Sequence, residues 1–337
     1  MSAEFILGTF LISLENFVFF WYTTKRGDTM KLSIVVPCFN EEGNVKKLFE
    51  EIKQNFKDIM YEIIFVNDGS RDATQDELKK LYEENKSYTQ VITFSRNFGK
   101  EAALYAGLKA SAGDLVLLID ADLQQSPAVA VSMMEILDKN PDIDCVAAYQ
   151  QVRNEGKIIS FFKSCFYKLI NKISDVEFVN GASDFRLMRR NMVDAILSMT
   201  EYHRFSKGIF GWVGFNTEYI PYEATKRASG KSKWKFKNLV KYAMEGITSF
   251  STSPLRFSAY IGFITSLVSI IYMIVTIVQK LAFGIDVPGY ATLAVLVLFF
   301  GGLQLFCLGV LGEYFAKMYI EVKNRPVYII KEHLKDE

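Results

Sequence analysis

Apolar and polar positions in the first third of the chain follow two alternating periods. Residues 32–42 predict a buried strand followed by a polar loop, residues 61–70 predict a second strand that ends in an acidic turn, and short apolar runs predict further strands at 90–94 and 115–119. Stretches in which apolar residues recur at helical spacing lie between these runs, at 44–56, at 73–84 and from within 96–101 to 110. Strand and helix repeats of this kind build a largely parallel sheet covered by helices on both faces. The pattern therefore predicts an α/β domain that binds its ligands beyond the carboxyl ends of the strands.

Two long apolar stretches lie in the last third of the chain. Residues 257–279 and 287–312 contain no charged side chain, and roughly 20 apolar residues are enough to cross the core of a bilayer. Lysine and arginine are frequent before the first stretch and after the second, whereas Lys280 is the only one between them. The positive-inside rule therefore predicts a membrane hairpin over 254–313 with both ends in the cytoplasm. A pair of long buried helices is the alternative interpretation.

Three further segments are apolar enough to contact a membrane. Residues 157–173 and 235–250 place apolar residues at helical spacing with lysines between them, which is typical of helices in the headgroup plane. Packing of these apolar faces onto a soluble domain is the alternative. The extension 1–29 is hydrophobic but contains Glu15, and no basic residue precedes its apolar run, so a signal peptide is disfavoured. A third span and another interfacial segment both stay open for it.

Acidic side chains follow three of the predicted strands. Glu41 and Asp68 follow the first two strands, and Asp120 and Asp122 follow the strand at 115–119. Because side chains alternate in an extended chain, Asp120 and Asp122 are expected to face the same way, as a hard cation such as Mg²⁺ or Mn²⁺ requires. A metal held by few carboxylates usually takes phosphate oxygens as its other ligands. A solvated turn or a helix cap is the alternative interpretation of this Asp-x-Asp.

Composition excludes several other classes of protein. The chain of 337 residues is 50% hydrophobic and 14% aromatic, and its net charge of +1 argues against a nucleic-acid-binding surface. Four scattered cysteines without Cys-x-x-Cys spacing and two histidines argue against a disulfide framework and against a zinc site. A reduced catalytic part that faces the cytosol is the simplest interpretation.

Six motifs, in this order and spacing, resemble those of the family 2 glycosyltransferases with a GT-A fold. They are Val36-Pro-Cys-Phe-Asn-Glu-Glu42, Val66-Asn-Asp-Gly-Ser70, Asp120-Ala-Asp-Leu-Gln124, Ser183-Asp-Phe-Arg-Leu-Met188, His203-Arg-Phe-Ser-Lys-Gly208 and Arg227-Ala-Ser-Gly-Lys-Ser-Lys-Trp234. The chain is most similar to the polyprenyl-phosphate glycosyltransferases, such as bactoprenol glucosyltransferases and dolichol-phosphate mannose synthases. The resemblance implies an α/β fold with a mixed, mostly parallel sheet, flanking helices and a two-helix transmembrane hairpin.

The resemblance also implies a division of the chain. We expect a hydrophobic N-terminal extension, a GT-A catalytic domain, a basic loop with an interfacial amphipathic helix, the membrane hairpin and a cytoplasmic tail, at residues 1–29, 30–226, 227–253, 254–313 and 314–337.

Individual site residues are implied by the same resemblance. Donor-binding positions are Pro37, Phe39, Glu41, Val66, Asp68, Asp120 and Ala121. Asp120, Asp122 and Gln124 are expected to hold Mg²⁺ or Mn²⁺ with the donor pyrophosphate, and Asp122 and Asp184 are expected to be catalytic. The family position of Asp184 is assigned as a base or as an acceptor-positioning carboxylate, and we favour positioning. A helix N-cap or a partner for Arg186 is the alternative.

The resemblance also concerns the acceptor site and the nucleobase of the donor. Arg153, Arg227 and Lys233 match positions that contact the acceptor phosphate, with general attraction to anionic headgroups as the alternative. Phe39 stands where relatives often have Tyr, and Asn67 where many have Asp, which leaves the identity of the donor's nucleobase open.

The function implied is inverting transfer of a hexose or N-acetylhexosamine from a nucleotide-sugar, expected to be a UDP-sugar, to polyprenyl (undecaprenyl) phosphate. It would take place at the cytoplasmic membrane face and serve cell-envelope glycosylation; a homo-oligomer is compatible with it. A processive polysaccharide synthase is the second interpretation, although the chain has no Gln-x-x-Arg-Trp motif. A catalytically idle scaffold that binds nucleotide-sugars or proteins is the third, and the intact Asp120, Asp122 and Asp184 argue against it.

Overall fold

The computed structural model describes residues 31–150, 181–223, 246–283 and 289–336, together with positions 168, 170–172, 174, 176 and 179. One sheet of eight strands has the order β7-β5-β6-β4-β1-β2-β3-β8. The strands are β1 (Leu32–Cys38), β2 (Tyr61–Asn67), β3 (Thr89–Phe94), β4 (Leu115–Leu118), β5 (Cys145–Gln150), β6 (Ala182–Arg189), β7 (Thr217–Tyr222) and β8 (Ile330–Leu334). The helices in the described ranges include α1 (Val45–Asn55), α2 (Thr74–Glu84), α3 (Lys100–Ala110), α4 (Pro127–Lys139), α5 (Arg190–Ser198), α6 (Ser206–Trp212), α7 (Ser253–Phe283) and α8 (Tyr290–Val322).

The strand and helix alternation predicted for the first third of the chain is confirmed. Strands β4, β1, β2 and β3 are neighbours and run parallel, with α1, α2 and α3 connecting them. Beyond β4 the sheet becomes mixed, because β6 pairs antiparallel with β4 and with β5, while β7 runs parallel to β5. The carboxyl ends of the four central parallel strands therefore meet at one edge of the sheet.

Alternating residues of the central strands pack into two separate apolar layers. In β1, Ile34 and Val36 contact the layer that contains α1, α2 and α4, whereas Val35 faces the layer that contains α3, α5 and α6. All three side chains are fully buried. This burial on both faces explains why β1 is a continuous apolar run, which is typical of a parallel sheet.

The two apolar stretches of the last third form α7 and α8, the hairpin predicted from the sequence. Spans of 27 and 28 residues within them have mean hydropathies of 2.4 and 2.3, and the most apolar part of each span is not buried in protein. Phe263 and Leu298, for example, are 70% and 76% exposed. Because these large apolar surfaces are not covered by protein, the alternative of two buried core helices is excluded for the described residues.

The second helix is longer than its apolar stretch, and its last turns contact the segment before α7 and the loop before α6. The hydroxyl of Tyr314 donates to the carbonyl oxygen of Ser251 at 2.7 Å, and Lys317 Nζ donates to Ser249 Oγ at 3.0 Å. The carboxylate of Glu321 accepts from the backbone N–H of Tyr202 at 2.9 Å. The polar end of α8 is therefore fastened to the domain rather than free in solvent.

The residues after α8 return to the sheet. Strand β8 pairs antiparallel with β3 and forms the edge of the sheet on that side. The sequence predicted a cytoplasmic tail at 314–337 without naming a strand in it. An edge strand whose side chains are mostly polar, as in Ile-Lys-Glu-His-Leu, lacks the apolar run that marks a buried strand.

Candidate active site

The predicted donor and metal residues in the described ranges lie at the carboxyl edge of the four parallel strands. Pro37 and Val66 are the second-to-last residues of β1 and β2. The others lie in the loops that follow β1, β2 and β4: Phe39, Glu41, Asp68, Asp120, Ala121, Asp122 and Gln124. Asp184 lies on β6, the neighbour of β4. A position inside a strand excludes the helix N-cap role for Asp184.

Lys100, at the start of α3, joins two of the predicted carboxylates. Its Nζ lies 2.6 Å from Asp120 Oδ1 and 2.8 Å from Asp184 Oδ2. Burial by itself would raise the pKa of Asp184, but attraction to Lys100, helped by Lys207, holds it well below its usual range. Burial likewise opposes the charge of Lys100, and the two aspartates raise its pKa well above the usual value. Lys100 and Asp184 are therefore both charged at neutral pH.

Gln125 fixes the other side of Asp120. Its amide Nε2 donates to Asp120 Oδ2 at 3.0 Å and to Ser183 Oγ at 3.3 Å, while its Oε1 accepts from the backbone N–H of Asp120 at 2.8 Å. Gln125 is 4% exposed, so these hydrogen bonds are shielded from water, are stronger than exposed ones and fix the orientation of the Asp120 carboxylate. The turn after β4 is thus tied to β6, which carries Ser183 and Asp184.

Asp122 closes the turn of the Asp-x-Asp motif. Its Oδ1 accepts the backbone N–H of Gln124 at 3.2 Å, and Leu123 between them has a left-handed backbone with φ of 61°. Ala121 is buried, whereas Asp120 and Asp122 on either side are partly exposed, so the two carboxylates share the open face as predicted from strand alternation.

The chemistry of these residues fits a metal that is shared with a substrate. No group of three His, Cys, Asp or Glu side chains arranged to hold a metal occurs within the described ranges. Mg²⁺ commonly takes only one or two carboxylates and completes its shell with water and substrate phosphates. Asp122, with Asp120 beside it, supplies such a set at the edge where a pyrophosphate would arrive.

A cavity of about 590 Å³ opens at the ends of β1, β2 and β3. Its lining combines two aromatic rings with amides, hydroxyls and basic groups: Phe39, Asn40, Asn67, Gly69, Ser70, Arg71, Gln75, Thr93, Phe94, Ser95, Arg96, Asn97 and Lys331. The size is typical of a pocket for a small organic ligand. Of the predicted donor residues, Phe39 lines this cavity.

Asp68 holds the loop that forms one wall of the cavity. Its carboxylate accepts the backbone N–H groups of Phe98 at 2.6 Å and Gly99 at 2.9 Å. Burial raises the pKa of Asp68 despite these bonds. Gly69 beside it has φ of 65°, and an added Cβ would lie 2.5 Å from the carbonyl carbon of Arg96. Only glycine permits this approach of the two loops, which places Arg96 and Asn97 at the cavity.

Glu41 has a comparable structural contact at the start of α1. Its Oε2 accepts from Asn44 Nδ2 at 2.8 Å, and its backbone N–H donates to Thr74 Oγ1 at 2.9 Å. The loop after β1 is therefore fastened to α2, so that Phe39 and Asn40 are held beside the loop after β2.

Glu101, next to Lys100, is a partly buried acid. Its Oε2 accepts both the backbone N–H of Ser206, at 2.9 Å, and the hydroxyl of Ser206. Burial, followed by repulsion from Asp184, raises the pKa of Glu101 to about 7. This group joins α3 to α6 beneath the Lys100 cluster.

Glu101→Gln is expected to change how stability depends on pH. The pKa of Glu101 in the folded state, about 7, exceeds the ordinary value of 4.5. The protonated Glu101 therefore stabilises the folded state fully below pH 4.5, and this stabilisation is lost as the pH rises through 7. Gln cannot titrate, and its single oxygen can accept both Ser206 bonds. The stability of Glu101→Gln relative to wild type should rise by about 2 kcal/mol between pH 5 and pH 8.

Thermal unfolding of the detergent-solubilised chain at a series of pH values measures this effect. Glu135→Gln, at an exposed position on α4, is the matched control and should follow wild type at every pH. Parallel wild-type and Glu101→Gln curves would contradict the assignment.

Some predicted residues lie outside the described ranges. These are Arg153, Arg227 and Lys233, together with the N-terminal extension and most of the two amphipathic segments. Conversely, sequence reasoning assigned no role to Lys100, Glu101 or Gln125. The segment Arg96-Asn-Phe-Gly-Lys-Glu101 was interpreted as a helix start only. Its position directly after β3, at the same edge as Asp68 and Asp120, was the available signal.

Comparisons with known proteins agree with this architecture. Glycosyl transferase family 2 matches residues 33–197, and the GtrB C-terminal hairpin matches residues 253–318. The bactoprenol glucosyl transferase of Shigella phage SfII is 43% identical over 308 residues, which cover 90% of this chain and 98% of that protein. A prophage bactoprenol glucosyl transferase homolog of Escherichia coli (strain K12) is 41% identical over 307 residues, 90% of this chain and 99% of that protein.

A solved structure, mannosyl-3-phosphoglycerate synthase from Rubrobacter xylanophilus, is 17% identical, with a TM-score of 0.48 over 67% of this chain and 73% of that one. The chain belongs to glycosyl transferase family 2. The hairpin match and the two exposed apolar helices show that it is a membrane-associated member.

Proposed function

We propose that this protein transfers a hexosyl group, glucose in the first place, from a nucleotide-sugar to a polyprenyl phosphate at the cytoplasmic membrane face, with inversion at the sugar carbon. The observation that carries the proposal is that one chain contains both a sheet edge with Asp120, Asp122 and Asp184 and a C-terminal membrane hairpin. Relatives that match nine tenths of the chain are named bactoprenol glucosyl transferases.

The donor is proposed to lie along the carboxyl edge, with its nucleoside in the cavity and its diphosphate near Asp122. The cavity has the size, the aromatic ring of Phe39 and the polar groups that a nucleoside requires. A uridine nucleotide is the proposed donor. Mg²⁺ or Mn²⁺ bound at Asp120, Asp122 and Gln124 would supply Lewis-acid stabilisation of the departing diphosphate.

Lys100 and Asp184 are proposed to prepare the site for an anionic acceptor. A phosphate monoester is already an anion near pH 7, so the reaction needs orientation of its oxygen more than removal of a proton. Asp184 stays ionised because of Lys100 and is therefore suited to positioning rather than to acting as a base near neutral pH. Lys100 in turn reduces the repulsion that two carboxylates would exert on an incoming phosphate.

Arg153, Arg227 and Lys233 remain the proposed contacts of the acceptor phosphate. Arginine binds phosphate through paired, charge-assisted hydrogen bonds, and lysine binds it as a point charge. Arg153 precedes the amphipathic segment 157–173, and Arg227 and Lys233 lie in the basic loop that leads to the first apolar helix.

The return of the chain to the sheet supports the proposed topology. Strand β8 follows the second apolar helix and pairs with β3, which precedes the first. Since one sheet cannot lie on both sides of a bilayer, the two apolar helices together cross an even number of times. The lysine and arginine residues on both flanks favour the cytoplasmic side.

Single cysteines test this topology after the four native cysteines are replaced. Gly289→Cys, just before α8, should react with a membrane-impermeant maleimide added outside intact cells, whereas Lys335→Cys should react only after the cells are permeabilised. Labelling of Lys335→Cys from outside would contradict the hairpin orientation.

Transfer from a panel of radiolabelled nucleotide-sugars tests the function itself. Purified full-length protein with undecaprenyl phosphate should transfer label from a UDP-hexose into a product that is extracted by organic solvent. Absence of such a product with every donor would contradict the proposal.

A further inference from the structure

The C-terminal strand supplies one basic residue to the cavity. Lys331 lies on β8 and is the only lining residue from the part of the described chain that follows the apolar helices. The rest of the lining comes from the loops and ends of β1, β2 and β3 and from Gln75 of α2. The tail thus forms part of the pocket as well as the edge of the sheet.

An irregularity in strand pairing directs Lys331 toward the cavity. In the register between β3 and β8, Thr93 pairs with Glu332 and the next residue, Phe94, pairs with Ile330. Lys331 is the extra residue between these two pairs. Such a β-bulge interrupts the ladder and re-aims one side chain, and bulges of this kind are frequent next to active sites.

The neighbours of Lys331 hold this strand firmly against the pocket. Glu332 accepts from Gln75 Nε2 at 3.1 Å and pairs with Lys79 at 2.9 Å. The other end of the same amide, Gln75 Oε1, accepts from Asn67 Nδ2 at 2.6 Å and from Thr93 Oγ1 at 2.9 Å. A chain of hydrogen bonds therefore runs from the tail to Asn67, which itself lines the cavity.

The order of the strands indicates which part of a donor Lys331 would meet. Asp120 follows β4, and β8 is four strands away across β1, β2 and β3, roughly 19 Å at the usual strand spacing. If the diphosphate lies at Asp120 and Asp122, the opposite end of the nucleotide lies toward β3 and β8. That end is the nucleobase.

We propose that Lys331 contacts the nucleobase of the donor by donating from its ammonium group to a carbonyl oxygen of the base. This inference rests on the proposed function, because it takes a nucleotide-sugar to lie along the edge in that direction. Lysine has only donors, so it favours a base that presents carbonyl oxygens, such as uracil, over adenine, which presents none. The C-terminal tail would then take part in the choice of donor.

Binding of UDP and of uridine to the full-length, detergent-solubilised protein tests the inference. Lys331→Met keeps the aliphatic stem and removes the donor, so its dissociation constants for UDP and for uridine should both rise about tenfold. Lys335→Met, an exposed lysine on the same tail that does not line the cavity, is the matched control and should stay within about twofold of wild type. An unchanged thermal midpoint of Lys331→Met would show that β8 remains paired.

Three other results would overturn the inference in distinguishable ways. If Lys331→Met binds UDP and uridine as tightly as wild type does, Lys331 does not contact the donor, and the proposed function is unaffected. Weakening for UDP but not for uridine would place the contact on the phosphates and contradict the base assignment. Failure of the wild-type protein to bind any nucleoside diphosphate, with or without Mg²⁺, would overturn the proposed function and this inference with it.

Discussion

Asp122→Asn is expected to lower kcat by about 100-fold or more while the protein folds and inserts normally. The loss follows because stabilisation of the departing diphosphate contributes several kcal/mol to the rate, and about 1.4 kcal/mol is a factor of ten. The fold should tolerate the change, since the amide oxygen of Asn can still accept the N–H of Gln124 that closes the turn.

The measurement is the initial rate of lipid-linked product formation at saturating donor, with and without excess EDTA. Asp138→Asn, an exposed carboxylate on α4, is the matched control and should retain wild-type turnover. Full activity of Asp122→Asn, or undiminished turnover of wild type in EDTA, would contradict a metal-assisted reaction at this turn.

Lys100→Met is expected to remove most of the activity and to destabilise the protein. Without the ammonium group, Asp120 and Asp184 lose the cation that joins them, their mutual repulsion is no longer offset by it, and the pKa of Asp184 should rise toward or above its ordinary value. We expect a loss of about 1 to 2 kcal/mol of stability, less than for a fully buried pair, because the side chain of Lys100 is 43% exposed.

The double variant Lys100→Met, Asp184→Asn separates stability from catalysis. Neutralising Asp184 removes the repulsion, so the thermal midpoint should recover while the activity should not. Lys109→Met, at the other end of α3, is the control for loss of a lysine from this helix and should be close to wild type in both measurements. Recovery of activity in the double variant would show that Lys100 acts only through folding.

Much of the fold was predictable because it depends on local patterns. The apolar, largely buried strand β1, the amphipathic α1 and the two apolar helices each show their pattern within one short segment of the chain. The carboxyl-edge position of Asp120 and Asp122 follows from the same patterns, since parallel strands in an α/β domain end at one edge.

The missed features depend on residues that are distant in sequence. Lys100 meets Asp184 across 84 positions, and nothing local to a lysine at a helix start indicates that partner. Strand β8 pairs with β3 across more than 200 positions and has little apolar character, because an edge strand needs only one neighbour. Helix α8 continues to Val322, beyond its apolar stretch, because Glu313, Lys317 and Glu321 end the apolar stretch but not the helix.

Dependence of the reaction on the acceptor is the direct test that an anionic lipid phosphate accepts the sugar. Purified full-length protein is supplied with a radiolabelled UDP-hexose and Mg²⁺, with undecaprenyl phosphate, undecaprenol or no lipid. An organic-soluble labelled product is expected with undecaprenyl phosphate alone, because only this lipid presents an oxygen that is already ionised. Equal transfer to undecaprenol, or a labelled product that forms without any lipid phosphate, would contradict it.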